Sequence, residues 1–201
     1  IGLVGSEMCI RDSVWGVSDI TAVKMAQDNG IDVIITDHHE PHDILPPAFA
    51  IVDHKQKDCA YPEKKLCGSG VGFKLIQAII KLNLELKKFE IREGQEKWLL
   101  DMVGIATLSD MVPLTGENRV LASFGLRVLR KSPRRGLMRL LNHLKIPQAH
   151  LTEDDVGFMI TPRINAASRM GVPMDAFNLL ATDNDNCLLY TSPSPRDRSV
   201  S

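Results

Sequence analysis

The sequence predicts an α/β fold built around a parallel sheet. Two short apolar runs rich in β-branched residues, DVIIT at 32–36 and AFAIVDH at 48–54, follow a helical segment at 18–30. Continuous apolar runs of this length are typical of strands buried on both faces, and a helix that precedes two such strands is typical of parallel pairing. With 44% hydrophobic and 24% charged residues, the 201-residue chain has the composition of a globular protein with a sizeable core.

The helices follow from caps and apolar spacing. Ser18 is placed to cap the first helix, and Asn29-Gly30 is placed to end it. The glycine-rich stretch GSGVG at 68–72 is expected to form a turn that opens into an apolar helix within 66–82. PRIN at 162–165 is expected to interrupt the helical region that precedes it. The remaining helices are expected at 95–108, 117–131, 134–144, 153–160 and 174–182.

Charge and cysteine usage limit the class of protein. The net charge of −1 gives no global attraction to nucleic acid or to anionic membranes. The sequence holds no run of about 20 apolar residues and no charged-then-apolar leader, so we expect a soluble chain that is not exported. The cysteines at 9, 59, 67 and 187 form no CxxC pair, which favours a reducing, cytoplasmic compartment over a disulfide framework.

The two ends differ from the middle of the chain. Residues 1–13 show neither a helical nor a strand period, and residues 187–201 form a Ser/Pro/Arg tract. Frayed termini explain both strings, but both also resemble translated sequencing-adaptor sequence. We therefore expect 1–13 and 187–201 to be non-native tails around a partial domain at 14–186.

Candidate metal ligands follow the first predicted strand. Asp37, His38 and His39 stand directly after DVIIT, and ligands of open parallel sheets bind beyond the carboxyl ends of the strands. Asp110 ends an apolar helix, where the helix dipole disfavours an acid unless a cation compensates. A polar surface turn and a helix-terminal turn residue are the ordinary alternatives for these two motifs.

Three further features suit phosphate. Gly68, Ser69 and Gly70 precede a predicted helix and can cradle an anion with backbone N–H groups, although such turns are usually structural. Arg163 and Arg169 flank Asn165 in PRINAASR, an arrangement suited to bidentate phosphate binding or to plain solvation. The segment 127–139, RVLRKSPRRGLMR, holds six basic residues and no acid, which indicates either a nucleic-acid contact or a solvated helix face.

Four blocks together, DVIITDHHEP, YPEKKLCGSGVGFKL, ATLSDMVPLTGENRVL and PRINAASRM, resemble the DHH phosphoesterase superfamily. More narrowly, they resemble its RecJ-type single-stranded-DNA-specific exonucleases. The resemblance implies an incomplete DHH phosphoesterase domain, with a parallel Rossmann-like sheet and a helical C-terminal part. It also implies hydrolysis of single-stranded DNA from its 5′ end in repair and recombination, dependent on Mn²⁺ or Mg²⁺, with two ions in the intact parent.

Residue roles are carried over from the same resemblance. His38 and Asp110 would be metal ligands, His39 would contact the scissile phosphate, and Asp37 would support the two histidines. The DNA phosphates would be held by the residues named above as suited to phosphate: Arg163, Asn165, Arg169, Gly68, Ser69 and Gly70. Single-stranded DNA is the implied partner, no membrane is involved, and protein partners remain unassigned.

The chain also departs from the family pattern. Nothing in residues 1–31 matches the family's first motif of two acids separated by one residue. Val14 stands where its second motif has an Asp, Asp12 is out of register, and Ser168 stands where a Gly is usual. With two candidate ligands only, we expect weak metal binding and almost no nuclease activity from this chain alone.

Other functions fit parts of the same pattern. Another DHH-type hydrolase, acting on oligoribonucleotides, cyclic dinucleotides or pyrophosphate, would share the DHH centre but not PRINAASRM. A non-catalytic scaffold that binds single-stranded DNA would fit the missing acids. An α/β domain with coincidental motifs would have to produce four motifs in the family's order.

Overall fold

The computed structural model describes residues 16–169 and 173–181. The predicted tails at 1–13 and 187–201, and the positions of Asp12 and Val14, lie outside these residues. No helix within the described ranges is long and apolar enough to cross a membrane. The elements are α1 (Ile20–Asp28), β1 (Ile34–Asp37), β2 (Ala50–Asp53), α2 (Gly68–Leu86), a 3₁₀ helix (Gln95–Leu99), α3 (Leu100–Ser109), α4 (Gly116–Leu129), α5 (Arg135–Leu144), a 3₁₀ turn (Gln148–His150), a π-helix (Asp155–Ile160), α6 (Thr161–Arg169) and α7 (Pro173–Ala181).

The α/β class with parallel strands is confirmed. Strands β1 and β2 pair in parallel, with Ile34 opposite Ala50 and Asp37 opposite Asp53. A small apolar cluster of Val17, Val23, Val33 and Ile35 packs α1 and its flanking segment against β1. Because parallel strands end at the same edge, the acids that end β1 and β2 lie side by side.

Some details of the predicted helices are wrong. Asp19 rather than Ser18 caps α1, and its side chain accepts a hydrogen bond from the Ala22 N–H at 3.2 Å. Gly68 to Gly70 form the first turn of α2 itself rather than a separate turn ahead of it. PRIN at 162–165 does not interrupt the helical region, because these residues lie within α6, immediately after the π-helix. Pro162 lies two residues after the π-helix ends, where the regular i→i−4 hydrogen-bond pattern is already interrupted by the wider turn.

Helix α3 is the centre of the helical part. Its buried residues Val103 and Ile105 belong to two different apolar clusters, one with α2 and α4 and one with α5 and the π-helix. Gly104 and Gly125 bring α3 and α4 into direct backbone contact, since a Cβ on Gly104 would lie 2.8 Å from the Gly125 Cα. Asp110 caps the C-terminal end of α3, so this packing positions a candidate ligand.

We expect Gly125→Ala to destabilise the fold by about 1–3 kcal/mol, because overpacking forces helices apart. The added methyl would lie 2.7 Å from the Leu100 carbonyl oxygen and 2.9 Å from the Gly104 nitrogen, atoms that cannot move away independently. Urea unfolding followed by circular dichroism measures the change. Gly72→Ala in α2 is the matched control: no atom lies within 4 Å of its added Cβ, so stability should stay level or rise by about 0.5–1 kcal/mol. Equal effects of the two substitutions would contradict the close packing of α3 on α4.

Candidate metal centre

The Asp37 carboxylate organises the segment that follows β1. Its Oδ1 accepts hydrogen bonds from the backbone N–H of His38 at 2.6 Å and of His39 at 3.1 Å, and it lies 2.7 Å from His39 Nδ1. Its Oδ2 accepts from the Val17 N–H at 2.9 Å. Burial alone raises the pKa of Asp37, but these hydrogen bonds outweigh it and hold the pKa below its ordinary value. Asp37 is therefore an ionised carboxylate at neutral pH, and its contacts fix both histidines.

Gly16 makes the contact between Asp37 and Val17 possible. A Cβ at position 16 would overlap the Asp37 carboxylate, so only glycine lets the backbone approach this closely. This contact was not predicted from the sequence, where Gly16 lies two positions after Val14, the residue that replaces the acid of the family's second motif. The available signal was a lone glycine ahead of a helix, which does not by itself indicate a partner in a distant strand.

His38 faces Asp110 across the site. His38 Nε2 lies 3.5 Å from Asp110 Oδ2, and the two side chains are 15% and 45% exposed. Burial and the neighbouring His39 lower the pKa of His38 despite the opposing charges of Asp110 and Asp37. The imidazole is therefore neutral at neutral pH, so the contact with Asp110 is not an ion pair, although its length falls within the usual limit for one.

The donor set of this pair fits a divalent ion. Neutral imidazole and carboxylate are ligands that Mn²⁺ accepts, and the 3.5 Å between the two atoms resembles the roughly 3 Å between adjacent ligands of one octahedral ion. Asp37, His38 and His39 also group their ligand atoms within 4.8 Å of one another. Asp37, however, already accepts four hydrogen bonds, about the capacity of a carboxylate. The Asp37 carboxylate is thus occupied in holding the histidines, whereas the facing atoms of His38 and Asp110 could hold an ion.

Asp110 sits in a constrained turn. Its backbone N–H donates to the Ala106 carbonyl at 2.9 Å, closing the last turn of α3. Met111 follows with a φ of 53°, a left-handed backbone conformation that is unfavourable for a residue other than glycine. Its side chain is 87% exposed. The chain thus leaves the helix abruptly after Asp110. The Asp110 charge also helps burial to raise the pKa of Cys67, which places the start of α2 beside the same site.

The candidate phosphate ligands are distributed over two elements. Gly68, Ser69 and Gly70 form the first turn of α2, whose N-cap residue Cys67 makes no side-chain capping hydrogen bond. Arg163 and Asn165 are exposed on α6, and Arg163 Nη1 donates to the Met159 carbonyl at 2.7 Å. Arg169 belongs to α6 by its backbone, but its side chain lies outside the described residues. The structure brings His38 and Asp110 within 3.5 Å, whereas no direct contact joins Arg163 to them within the described part of the chain.

The basic segment 127–139 is partly structural. The Arg130 guanidinium donates to the Leu151 carbonyl at 2.8 Å and 2.6 Å. Arg134 pairs with the buried Asp101 at 2.7 Å, and Ser132 donates to the same carboxylate. Two of the six basic residues therefore hold the helices together, which neither sequence interpretation of this segment anticipated.

Asp53 and His54 form a second buried polar group that was not predicted. They end β2 beside Asp37, and both are almost completely buried. Burial raises the pKa of Asp53, helped by the charge of Asp37, and burial lowers the pKa of His54. Both ring nitrogens of His54 lack a hydrogen-bond partner within the described residues. AFAIVDH ends in the same Asp-His order as the DHH motif, so its position after a strand was the usable signal.

Comparisons with known proteins point to one family. Residues 14–107 match the model described as DHH family, N-terminal domain. The chain is 40% identical over 169 residues to the single-stranded-DNA-specific exonuclease RecJ of Bacillus subtilis, covering 84% of this chain and 20% of that protein. It is 37% identical over 173 residues to RecJ of Escherichia coli, covering 84% of this chain and 30% of that protein.

Solved structures agree with this likeness. The structure of exonuclease RecJ bound to manganese superposes with a TM-score of 0.72 at 31% identity, over 88% of this chain and 42% of the other. RecJ of Thermus thermophilus in complex with Mn²⁺ gives a TM-score of 0.70 at 31% identity, over 88% of this chain and 25% of the other. The chain thus spans between a fifth and a third of the length of the curated relatives described above.

The burial of His54 makes the stability of the fold depend on pH. The pKa of His54 in the folded chain lies below its ordinary value of 6.5. As the pH falls, His54 therefore takes up a proton in the unfolded chain before it does so in the folded one. The free energy of unfolding then decreases until the pH reaches the folded pKa. We expect the unfolding free energy to fall between about pH 7.5 and pH 5.5, and to fall less in His54→Leu. The neighbouring Asp53, Lys55 and Lys64 remain in both proteins. Urea unfolding at each pH measures the slope, and an identical slope in the variant would exclude His54 as a cause.

Proposed function

We propose, from the match of residues 14–107 to the N-terminal domain of the DHH family, that the chain is part of a divalent-metal-dependent exonuclease that degrades single-stranded DNA. The observation that carries the proposal is the approach of His38 Nε2 to Asp110 Oδ2 at 3.5 Å. These residues come from two elements far apart in sequence, and a neutral imidazole facing a carboxylate is a ligand pair for Mn²⁺ or Mg²⁺. The curated relatives named above are single-stranded-DNA-specific exonucleases, which supports the substrate class.

Each residue then has a chemical task. His38 and Asp110 hold the ion, and Asp37 fixes the imidazole of His39, whose side chain is 58% exposed, to meet a phosphate oxygen. His39 Nδ1 lies 2.7 Å from Asp37 Oδ1, which leaves Nε2 as the ring nitrogen that can face a phosphate oxygen. Arg163, Asn165 and Arg169 bind the DNA backbone, with the N–H groups at Gly68, Ser69 and Gly70 as a second anion-binding element. When bound, the divalent ions supply an activated water and stabilise the leaving oxygen.

The ligand count of the chain sets its expected behaviour. Mn²⁺ and Mg²⁺ take about six ligands, and two protein ligands leave most positions to water. We propose that two ions bind the intact protein, that residues 14–186 are its natural part, and that this chain alone binds metal weakly and has almost no activity. The relatives' structures hold Mn²⁺ or Mg²⁺, which supports this choice of ions. DNA repair and recombination in the cytoplasm is the proposed setting.

Metal binding tests the ligand pair directly. We expect His38→Ala and Asp110→Asn each to weaken Mn²⁺ binding by at least about tenfold, since each removes one of two protein ligands. Electron paramagnetic resonance of free Mn²⁺ measures the affinity without any need for activity. His42→Ala is the control, because His42 is an exposed histidine in the loop after the DHH motif. A loss of affinity in His42→Ala equal to that in His38→Ala would contradict the assignment.

Substrate specificity needs the complete gene. We expect the full-length protein to degrade 5′-labelled single-stranded DNA with Mn²⁺, to spare duplex DNA, and to lose this activity in His38→Ala. Labelled oligonucleotides resolved on a gel give the measurement. Tight binding of single strands without degradation would replace the exonuclease with a scaffold, and degradation of dinucleotides or pyrophosphate alone would indicate another DHH-type hydrolase.

A further inference from the structure

A pair of hydroxyl groups connects the helix that ends in Asp110 to the helix that carries Arg163. Ser109 is the last residue of α3 and Thr161 is the first residue of α6. Their side-chain oxygens lie 2.6 Å apart, and Thr161 is buried. Ser109 directly precedes a proposed metal ligand, and Thr161 stands two positions before a proposed phosphate ligand. The contact thus joins two functional segments that are 52 residues apart in the chain.

Each hydroxyl also lies within hydrogen-bond distance of a backbone carbonyl in its own helix. Ser109 Oγ is 2.6 Å from the Ile105 oxygen, and Thr161 Oγ1 is 2.7 Å from the Val156 oxygen. Two hydroxyl protons therefore serve three contacts, so one hydroxyl donates to the other while the second donates to its carbonyl. Removing either hydroxyl breaks the contact between the two helices, while the other hydroxyl can still donate to its own carbonyl, so the loss is that of one hydrogen bond.

Thr161 also stands at the end of the π-helix Asp155–Ile160. Its hydroxyl reaches back five residues to Val156, the spacing of a π turn rather than of an α turn. One extra residue in a helix rotates everything after it by about 100°. The π turn consequently decides which face of α6 presents Arg163 and Asn165, and the contact with Ser109 fixes that turn against α3.

We propose that Ser109 and Thr161 are positioning residues that set the orientation of the phosphate-binding face of α6 relative to Asp110. The proposal rests on the function proposed above, because it assigns the pair to the alignment of a DNA phosphate with the metal centre. The pair acts through Arg163 and Asn165 on one side and through the end of α3 on the other.

Thr161→Val is the central variant, since it keeps the branched shape and removes the hydroxyl. We expect it to weaken the binding of a short 5′-phosphorylated oligothymidylate in the presence of Mn²⁺ by about three- to tenfold, the effect of one lost hydrogen bond. Thr161→Ser keeps the hydroxyl and should restore the affinity. Ser109→Ala should match Thr161→Val, and the double variant should be no weaker than either one, because both remove the same contact.

Three further measurements separate positioning from general stability. Ser123→Ala, an exposed serine on α4, is the control for hydroxyl loss and should bind as the unchanged chain does. The Mn²⁺ affinity of Thr161→Val should also be unchanged, because the variant leaves His38 and Asp110 intact. Hydrogen exchange at the backbone amides of 161–169 should accelerate in Thr161→Val and recover in Thr161→Ser.

The outcomes distinguish this proposal from the one on which it rests. Fluorescence anisotropy of the oligonucleotide is measured for every variant together with Arg163→Ala. If Arg163→Ala loses affinity while Thr161→Val only melts at a lower temperature and binds normally, the positioning role is overturned and the DNA-binding function stands. If Arg163→Ala binds as tightly as the unchanged chain, the proposed DNA contact itself is overturned, and the positioning role falls with it.

Discussion

The carboxylate of Asp37 is the contact on which the site depends. It ends β1, where the next two residues would otherwise leave their N–H groups and rings free to turn in several directions. It accepts hydrogen bonds from the backbone N–H groups of His38 and His39, from the His39 ring and from the Val17 N–H. These contacts hold Val17, His38 and His39 in fixed positions around one carboxylate. A buried carboxylate with this many donors stays ionised. It therefore acts as a fixed negative anchor rather than as a proton donor or an open metal ligand.

The opposite side of the site depends on packing rather than on charge. The contact of Gly104 with Gly125 presses α3 against α4, and the buried Asp101 ties the start of α3 to Ser132 and Arg134. Rigid interiors transmit position along a helix, so the C-terminal end of α3 is set by contacts about a turn and more away from it. His38 follows strand β1 and Asp110 follows helix α3. Their approach to 3.5 Å therefore depends on the contacts that hold each of these two elements in place.

The elements that the sequence predicted are those with strong local signals. DVIIT was predicted as a strand and contributes residues 34–36 to β1, but Ile34 is exposed while Ile35 is buried, so the strand is not buried on both faces as expected. Helices α4 and α5 follow from amphipathic spacing, and the structure places both within one or two residues of the predicted bounds. Continuation of the helical region through PRIN could not be predicted, because a residue before proline normally avoids the α region. Thr161 nevertheless adopts φ −53° and ψ −47°, held by its contacts to Ser109 and Val156.

The candidate site likewise contains residues that the sequence identified and partners that it did not. Asp37, His38, His39 and Asp110 were identified by residue type and by position after an element, and the structure gives their mutual geometry. The partners Gly16 and Thr161 were not found, because each acts on a residue at least 20 positions away through a single contact. A glycine or a threonine carries no chemical signal of such a role. Local pattern thus indicates candidate chemical groups by residue type and position, whereas the distant contacts that hold them appear only in three dimensions.

The basic segment 127–139 shows that the number of charges in a sequence does not give their direction in the structure. Six positive charges in thirteen residues suggest a continuous nucleic-acid surface, but Arg130 and Arg134 direct their guanidinium groups into the protein. Asp101 compensates the charge of Arg134, whereas the Leu151 carbonyl fixes the direction of the Arg130 guanidinium without cancelling its charge. Arg163, in contrast, is exposed and donates one of its five N–H groups to Met159. In the proposed exonuclease, a DNA strand that approaches the metal centre would therefore be guided by a few donors on α6, and the orientation of that helix would matter more than the number of basic residues.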